Sequence, residues 1–112
     1  MMSSMFIPQL TPSQMRAQAK KATSLLKLLG NEDRLLLLCQ LGQKECSVGQ
    51  LEEVLEIRQP TLSQQLGVLR LAGLVATRKE GKQVYYRMAD EAATSVINTL
   101  YMLYCNEMDG QP

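Results

Sequence analysis

The segment from Ile57 to Met88, IRQPTLSQQLGVLRLAGLVATRKEGKQVYYRM, decides the fold of this 112-residue chain. Its first part, from about Gln59 to Ala72, carries leucines at helical spacing and is followed by a glycine, so it predicts a helix. Two runs rich in β-branched and aromatic residues come next, over 74–79 and 83–88, with a turn around Gly81 between them. The segment therefore predicts a helix followed directly by a short basic hairpin.

Four further helices are expected around this segment. The spacing of apolar residues predicts helices over 13–29, about 32–42, 48–55 and about 90–107. Asn31 and Ser47 are suited to cap the second and third of these at their N-termini. The chain is thus expected to form one mainly α domain with a small β-hairpin over 13–107, between an N-terminal arm (1–12) and a frayed tail (108–112).

Apolar stripes indicate which side of each helix should face the core. The LLLLC run at 35–39 is apolar all round and predicts a buried second helix. The stripes of the other helices consist of Met15, Ala19, Ala22, Leu25, Leu26 and Leu29; Val48, Leu51, Val54 and Leu55; Leu62, Leu66, Leu69 and Leu71; and Ile97, Leu100, Tyr101, Tyr104 and Cys105.

The fourth helix has a polar side that is suited to DNA. Glutamine can pair bidentately with adenine, and serine and threonine can bind phosphates or bases. We therefore expect base contacts in the groove from Gln59, Ser63, Gln64 and Gln65, and phosphate contacts from Arg58 and Thr61. The alternative from the residues alone is an ordinary solvated helix face.

Basic charge coincides with this segment. The whole chain carries a net charge of +1, yet residues 57–88 hold six basic side chains against Glu80 alone. The hairpin residues Arg78, Lys79, Lys82 and Gln83, and Arg70 on the helix, are therefore further candidate DNA contacts, suited to position the protein more than to specify sequence. Tyr85 and Tyr86 should point to opposite faces of their strand, so that at least one packs on the domain.

Several protein classes are disfavoured by the composition. The longest unbroken apolar run, 35–39, is far shorter than the roughly 20 residues of a membrane span, and the N-terminus lacks a secretory signal pattern. A cytoplasmic protein that works at the nucleoid is expected. Its three cysteines are more naturally thiols than a disulfide framework, and no CxxC pair suggests a redox enzyme. No enzymatic activity and no cofactor are expected.

Five stretches together resemble the ArsR family of bacterial repressors. They are NEDR (31–34), SVGQL (47–51), QPTLSQQLGVLR (59–70), AGLV (72–75) and TRKEGKQVYY (77–86), and the resemblance extends over about 25–107. It implies a winged helix-turn-helix whose fourth helix lies in the DNA major groove and whose hairpin, the wing, contacts the adjacent backbone or minor groove. It also implies a homodimer, formed through the first and last helices, that binds an inverted-repeat operator.

Arg58 departs from the family pattern, in which a serine often stands at this position. The fourth helix therefore lacks a capping side chain, and a cation lies at the positive end of the helix dipole, at a cost of about 0.3 to 1 kcal/mol. A phosphate contact would use this charge. We therefore expect Arg58 to bind the DNA backbone.

The resemblance also bears on what the protein senses. Relatives that sense metals use paired cysteines near the third helix or Asp and His pairs on the last helix, whereas this chain has no histidine and only Cys46 at the third helix. Capture of a soft metal needs several convergent thiolate or imidazole ligands, so no metal site is expected. Cys46 is expected to be an incidental exposed thiol. A metal-responsive repressor is kept as an alternative.

Cys39 and Cys105, in the contexts LLLLCQL and LYMLYCNE, resemble the two cysteines of a subgroup of the family that senses reactive sulfur species or oxidants through a dithiol. In that subgroup a disulfide or polysulfide bridge joins the second and last helices and weakens DNA binding. Either cysteine taken alone is more often a packing residue. A direct disulfide further needs Cα atoms within about 7 Å, which the sequence does not give. Some members of the family act by displacing another DNA-binding protein, so antirepression stays open.

Overall fold

The structure, a computed structural model, describes residues 9–105. Within this range the chain forms five helices and a small antiparallel sheet. The elements are α1 (Pro12–Leu29), α2 (Glu32–Leu41), β1 (Cys46–Ser47), α3 (Val48–Leu55), α4 (Gln59–Leu71), β2 (Val75–Glu80), β3 (Gln83–Met88) and α5 (Glu91–Tyr104). Most of the expected arm, the expected end of the last helix at 106–107 and the expected tail lie outside the described residues.

Polar side chains fix where the helices begin. Asn31 accepts a hydrogen bond from the Arg34 backbone N–H at the start of α2, and Ser47 and Gln50 form a capping box at the start of α3. Both predicted caps are confirmed. Thr11 forms a similar capping box for α1 with Gln14, and the Asp90 side chain caps α5. Each cap satisfies backbone N–H groups that would otherwise lack partners at a helix end.

The hairpin belongs to a three-stranded sheet in the order β1-β3-β2. Gly81 closes the turn between β2 and β3 with a φ of 63°, a left-handed conformation that suits glycine. The short strand β1 pairs antiparallel with β3, with Cys46 opposite Tyr86 and Ser47 opposite Tyr85. The predicted two strands of the wing are confirmed, and β1 is an addition because two residues are too few to show an alternating pattern. It joins the wing to the helical body.

The core lies where α2, α3 and α4 meet. Leu37, Leu38, Leu51, Leu62 and Leu69 are fully buried there. Burial of a leucine side chain stabilises a fold by about 1.5 to 3 kcal/mol, so this group holds the helix-turn-helix together.

Three residues on α2, α3 and α4 do not face the core as predicted, and the same is true of six on α1 and α5: Met15, Ala19, Ala22, Leu26, Tyr104 and Cys105. Leu71 is 94% exposed, because it lies about 200° around α4 from the buried Leu69. Val54 is 54% exposed, at the edge of the α3 stripe that buries Leu51. Leu36 is 42% exposed, so α2 is not buried all round.

The first helix packs on the core only through its last turn. Leu29 is buried and Leu25 is half-buried, whereas Met15 and Leu26 are 57% and 58% exposed. On α5, Ala93 and Ile97 are buried, but Met102, Leu103 and Tyr104 are exposed. The apolar outer parts of both helices are therefore uncovered in the single chain. No helix in the described range is long and apolar enough to cross a membrane.

Candidate DNA interface and dithiol site

A tight turn between α3 and α4 presents the fourth helix on the surface. Glu56 ends α3 in the left-handed conformation, with φ 56° and ψ 38°, and Ile57 after it is buried. For a residue with a Cβ this conformation costs on the order of 1 kcal/mol, which the burial of Ile57 can offset. The turn directs the N-terminus of α4 into solvent.

The exposed side of α4 carries most of the predicted groove residues. Gln59, Ser63, Gln64 and Arg70 are exposed. The Ser63 hydroxyl donates to Gln59 Oε1 over 3.1 Å, and Gln59 Nε2 donates to Glu52 Oε1 over 3.2 Å. The Gln59 carboxamide is thereby oriented before any ligand binds. This side of the helix offers both donors and acceptors to a groove.

Thr61 and Gln65 occupy the flank of α4 instead. Both are half-buried, and Gln65 Oε1 accepts a hydrogen bond from Arg34 Nη1 over 2.9 Å. The sequence grouped Gln65 with the freely exposed glutamines, and the structure separates it from them. Arg34 itself was missed, because a basic residue in the first turns of a helix carries no signal of its partner in sequence.

Arg58 is exposed at the N-terminus of α4, and in the described part of the chain its side chain makes no capping hydrogen bond. The predicted absence of a side-chain cap is therefore observed. The contact of Arg58 with phosphate stays a prediction.

Four predicted DNA contacts lie on the wing, and one of them, Arg78, already has an acidic partner in the chain. Lys79, Lys82 and Gln83 are exposed. Arg78 instead forms a bidentate ion pair with Glu45, with both N–O distances 2.8 Å, and its guanidinium lies 4.7 Å from the centre of the Tyr85 ring. The hydrogen bond from Arg78 lowers the pKa of the Glu45 carboxyl. Arg78 thus fastens the wing to the segment before β1, a role that the sequence did not indicate.

Tyr86 packs against the core, as predicted for at least one of the two tyrosines. Tyr85 lies under Arg78 on the other face of the strand. The two side chains thus support the wing from opposite sides.

Cys39 and Cys105 are free thiols near the contact between α2 and α5. Cys39 is half-buried, and Cys105 is exposed immediately after α5. Burial raises the pKa of the Cys39 thiol, and the negative charge of a Cys105 thiolate raises it further. A cavity of about 320 Å³ lies beside Cys39 and is also lined by Gly42, Gln43, Ile97, Asn98 and Tyr101. Cys39 therefore borders an open space between the two helices.

Cys46 was expected to be an exposed thiol, and that prediction is wrong. Its side chain is 1% exposed, because β1 pairs with β3 and places it in the core. Its thiol donates to the Lys44 carbonyl over 3.6 Å and accepts from Gln40 Nε2 over 3.8 Å. Cys46 is a packing residue. Across residues 9–105, no three His, Cys, Asp or Glu side chains gather where they could hold a metal ion.

Known proteins similar in sequence show the family of this chain. The family model described as "Bacterial regulatory protein, arsR family" matches residues 31–77. A biofilm growth-associated repressor from Agrobacterium fabrum is 54% identical over 91 residues, which are 81% of this chain and 78% of the relative.

This chain belongs to the ArsR family.

Other ArsR-type proteins are similar over nearly the same extent. The transcriptional activator HlyU of Vibrio cholerae is 45% identical over 82% of this chain and 85% of its own. The crystal structure of the transcriptional repressor BigR from Xylella fastidiosa has a TM-score of 0.78 at 46% identity, over 86% of this chain and 98% of that one. These likenesses confirm the predicted ArsR resemblance and the winged helix-turn-helix fold.

Proposed function

We propose that this protein is a transcriptional repressor that binds an inverted-repeat operator as a homodimer. The observation that carries the proposal is the exposed polar side of α4, which stands beside a basic wing on a fold shared with the repressor BigR. A helix with this exposure can enter the major groove, and wing cations can bind the phosphates next to it. Gln59, Ser63 and Gln64 would contact bases.

The dimer would form through α1 and α5. Met15 and Leu26 on α1, and Met102 and Leu103 on α5, are large apolar side chains that the single chain leaves exposed. Their contact with the same residues of a second copy would remove apolar surface from water. Two copies of α4 could then meet successive major grooves about one helical turn apart.

We further propose that a bridge between Cys39 and Cys105 releases the operator. The support is the cavity between the two helices, which Cys39 borders, and the rise in the pKa of the Cys39 thiol caused by burial and by the negative charge of a nearby Cys105 thiolate. Two cysteine thiols and one organic persulfide would give a disulfide, one thiol and hydrogen sulfide. Two persulfides would instead insert one sulfur atom, giving a trisulfide, two thiols and hydrogen sulfide. A peroxide or diamide would accept the two electrons and two protons of a direct disulfide.

The bridge between Cys39 and Cys105 would affect DNA binding through the two helices that it joins. It would pull the end of α5 toward α2, and α5 is a proposed dimer helix. Because both copies of α4 must fit grooves at a fixed separation, a small rotation of the subunits would weaken binding.

Operator binding by cysteine variants tests the proposal. DNA selected from a random duplex library would be titrated with wild type, Cys39→Ser, Cys105→Ser and Cys46→Ser, before and after treatment with an organic persulfide or diamide. We expect the wild type and Cys46→Ser to lose affinity and the other two variants to keep it. Equal responses of all four proteins would exclude the dithiol mechanism, and failure to select any sequence would exclude specific DNA binding.

Activation of transcription is a second candidate, favoured by the likeness to HlyU, which is named an activator. A protein of this kind could act by displacing another DNA-binding protein through the same groove contacts. Transcription in vitro from a promoter that contains the selected site distinguishes the two. The repressor lowers transcription by itself, whereas an antirepressor has an effect only when a second DNA-binding protein is present.

A further inference from the structure

The Arg34 side chain forms hydrogen bonds with both α1 and α4. It lies in the first turn of α2, and its Nε and Nη2 donate to the carbonyls of Leu28 and Lys27, over 2.7 and 3.1 Å. These carbonyls belong to the last turn of α1, where a cation is favoured by the helix dipole. The third guanidinium nitrogen, Nη1, donates a hydrogen bond to Gln65 Oε1 on α4 over 2.9 Å. One guanidinium thus ties the end of α1 to the middle of α4.

The tie determines which way the Gln65 carboxamide faces. A guanidinium has donors only, so the oxygen of Gln65 must point toward Arg34 and the Nε2 amide away from it. Within residues 9–105 this amide has no hydrogen-bond partner, and every fully buried side-chain nitrogen or oxygen there does have one. The amide therefore reaches solvent.

The position of Gln65 on α4 is unsuited to contact bases in the groove. At about 100° per residue, Gln65 lies about 100° around the helix from Gln64 and closer to the buried Leu62. It is half-buried, whereas Ser63 and Gln64 are exposed. Its oxygen is occupied by a charge-assisted hydrogen bond, which is stronger than one between neutral groups.

We propose that Arg34 is a positioning residue for DNA recognition, which sets the orientation of α4 by holding Gln65 against the end of α1. This inference rests on the proposed DNA-binding function. Gln65 serves as the acceptor for Arg34 and does not contact a base. Because α1 is also a proposed dimer helix, the same tie relates the groove-binding helix to the subunit interface.

A pair of substitutions at Gln65 separates positioning from base contact. Gln65→Glu keeps an acceptor for Arg34 but removes the outward amide, and Gln65→Met, of similar length, removes both. Both leave the bonds from Arg34 to α1 available, so they keep the test valid if Arg34→Ala fails to fold. The affinity of each variant for a duplex selected by the wild type from a random library is measured under reducing conditions, together with its thermal unfolding midpoint.

We expect Gln65→Met to bind about tenfold more weakly and Gln65→Glu to stay within about threefold of the wild type. Where Arg34→Ala folds, it should also weaken DNA binding. The losses of affinity caused by Arg34→Ala and by Gln65→Met should then be non-additive in the double variant. A merely structural tie would lower the unfolding midpoint of Gln65→Met and leave the affinity of the folded protein unchanged, which overturns the proposal. Equal losses in both Gln65 variants would also overturn it, since the amide would then be the contact. If the wild type selects no duplex, the proposed function fails, and this role fails with it.

Discussion

Individual side chains of one type have different roles at this surface. Arg58 and Arg78 are both arginines of the basic segment, and charge counting assigns both to DNA. Arg58 is exposed without a capping bond among the described residues, whereas Arg78 is held by Glu45 and stacked on Tyr85. The charge of Arg58 is therefore available to phosphate, and that of Arg78 is already compensated.

The salt dependence of DNA binding distinguishes these two arginines. We expect Arg58→Ala to reduce operator affinity and to lower the slope of log K against log salt by about one, because one fewer counterion is released. Arg78→Ala should leave that slope nearly unchanged, since in the wild type the charge of Arg78 is already compensated by Glu45. Titrations at several salt concentrations measure both. An unchanged slope for Arg58→Ala would remove it from the interface.

The three cysteines are predicted to differ in how fast their thiols are alkylated. The pKa of Cys39 is raised, so its thiolate fraction at neutral pH is reduced and its alkylation by iodoacetamide should be slow, rising steadily as the solution becomes alkaline. The exposed Cys105 should be labelled first, and the buried Cys46 should be labelled only on unfolding. Mass spectrometry of timed digests gives the three rates. Labelling of Cys39 ahead of Cys105 at neutral pH would contradict this order.

At the scale of elements, the exposed apolar faces of α1 and α5 predict the subunit interface. Leu26→Glu places a charge on this face and should raise the dimer dissociation constant about 10- to 100-fold, because an apolar contact is lost and a charge is buried. Leu71→Glu is the matched control, since Leu71 is 94% exposed on α4 and outside both faces. Sedimentation equilibrium measures the change. A Leu26→Glu protein that associates like the wild type would place the interface elsewhere.

The elements were predictable where a local pattern encodes them. Asn31 and Ser47 marked helix starts, and Gly81 marked the wing turn, because caps and turns depend on neighbouring residues. The strand β1 was not predictable, since pairing with β3 is its only support and its two residues show no period. The burial of Cys46 followed from that pairing and was missed with it.

The exposed polar side of the candidate site was predictable from the sequence, whereas the partners of its individual side chains were not. The exposed side of α4 followed from helical spacing, which places Ser63 and Gln64 opposite the leucines. The partners of Arg78 and Gln65 could not be predicted in this way, because Glu45 and Arg34 are 33 and 31 residues away in sequence. Such contacts depend on how the elements pack and leave no periodic signal.

At the scale of the whole molecule, α2 belongs to the proposed groove-binding unit and also carries Cys39, one of the two proposed sensing thiols. This helix packs against both α4 and α5, and Cys39 borders the cavity that residues of α2 and α5 line. A bridge from Cys39 to Cys105 would therefore act on the frame that supports both α4 and the proposed dimer helix. Coupling of this kind needs no contact between the thiols and DNA.

The central claim is that bridging of Cys39 and Cys105 weakens DNA binding, and the affinity of the bridged protein tests it most directly. Wild-type protein treated with an organic persulfide is purified as the bridged species, verified by intact mass and peptide mapping, and titrated with selected duplex DNA. We predict a dissociation constant at least about 30-fold higher than that of the reduced protein, a difference of about 2 kcal/mol, and full recovery on reduction with dithiothreitol. A verified bridged protein that binds the duplex as tightly as the reduced one would contradict the account.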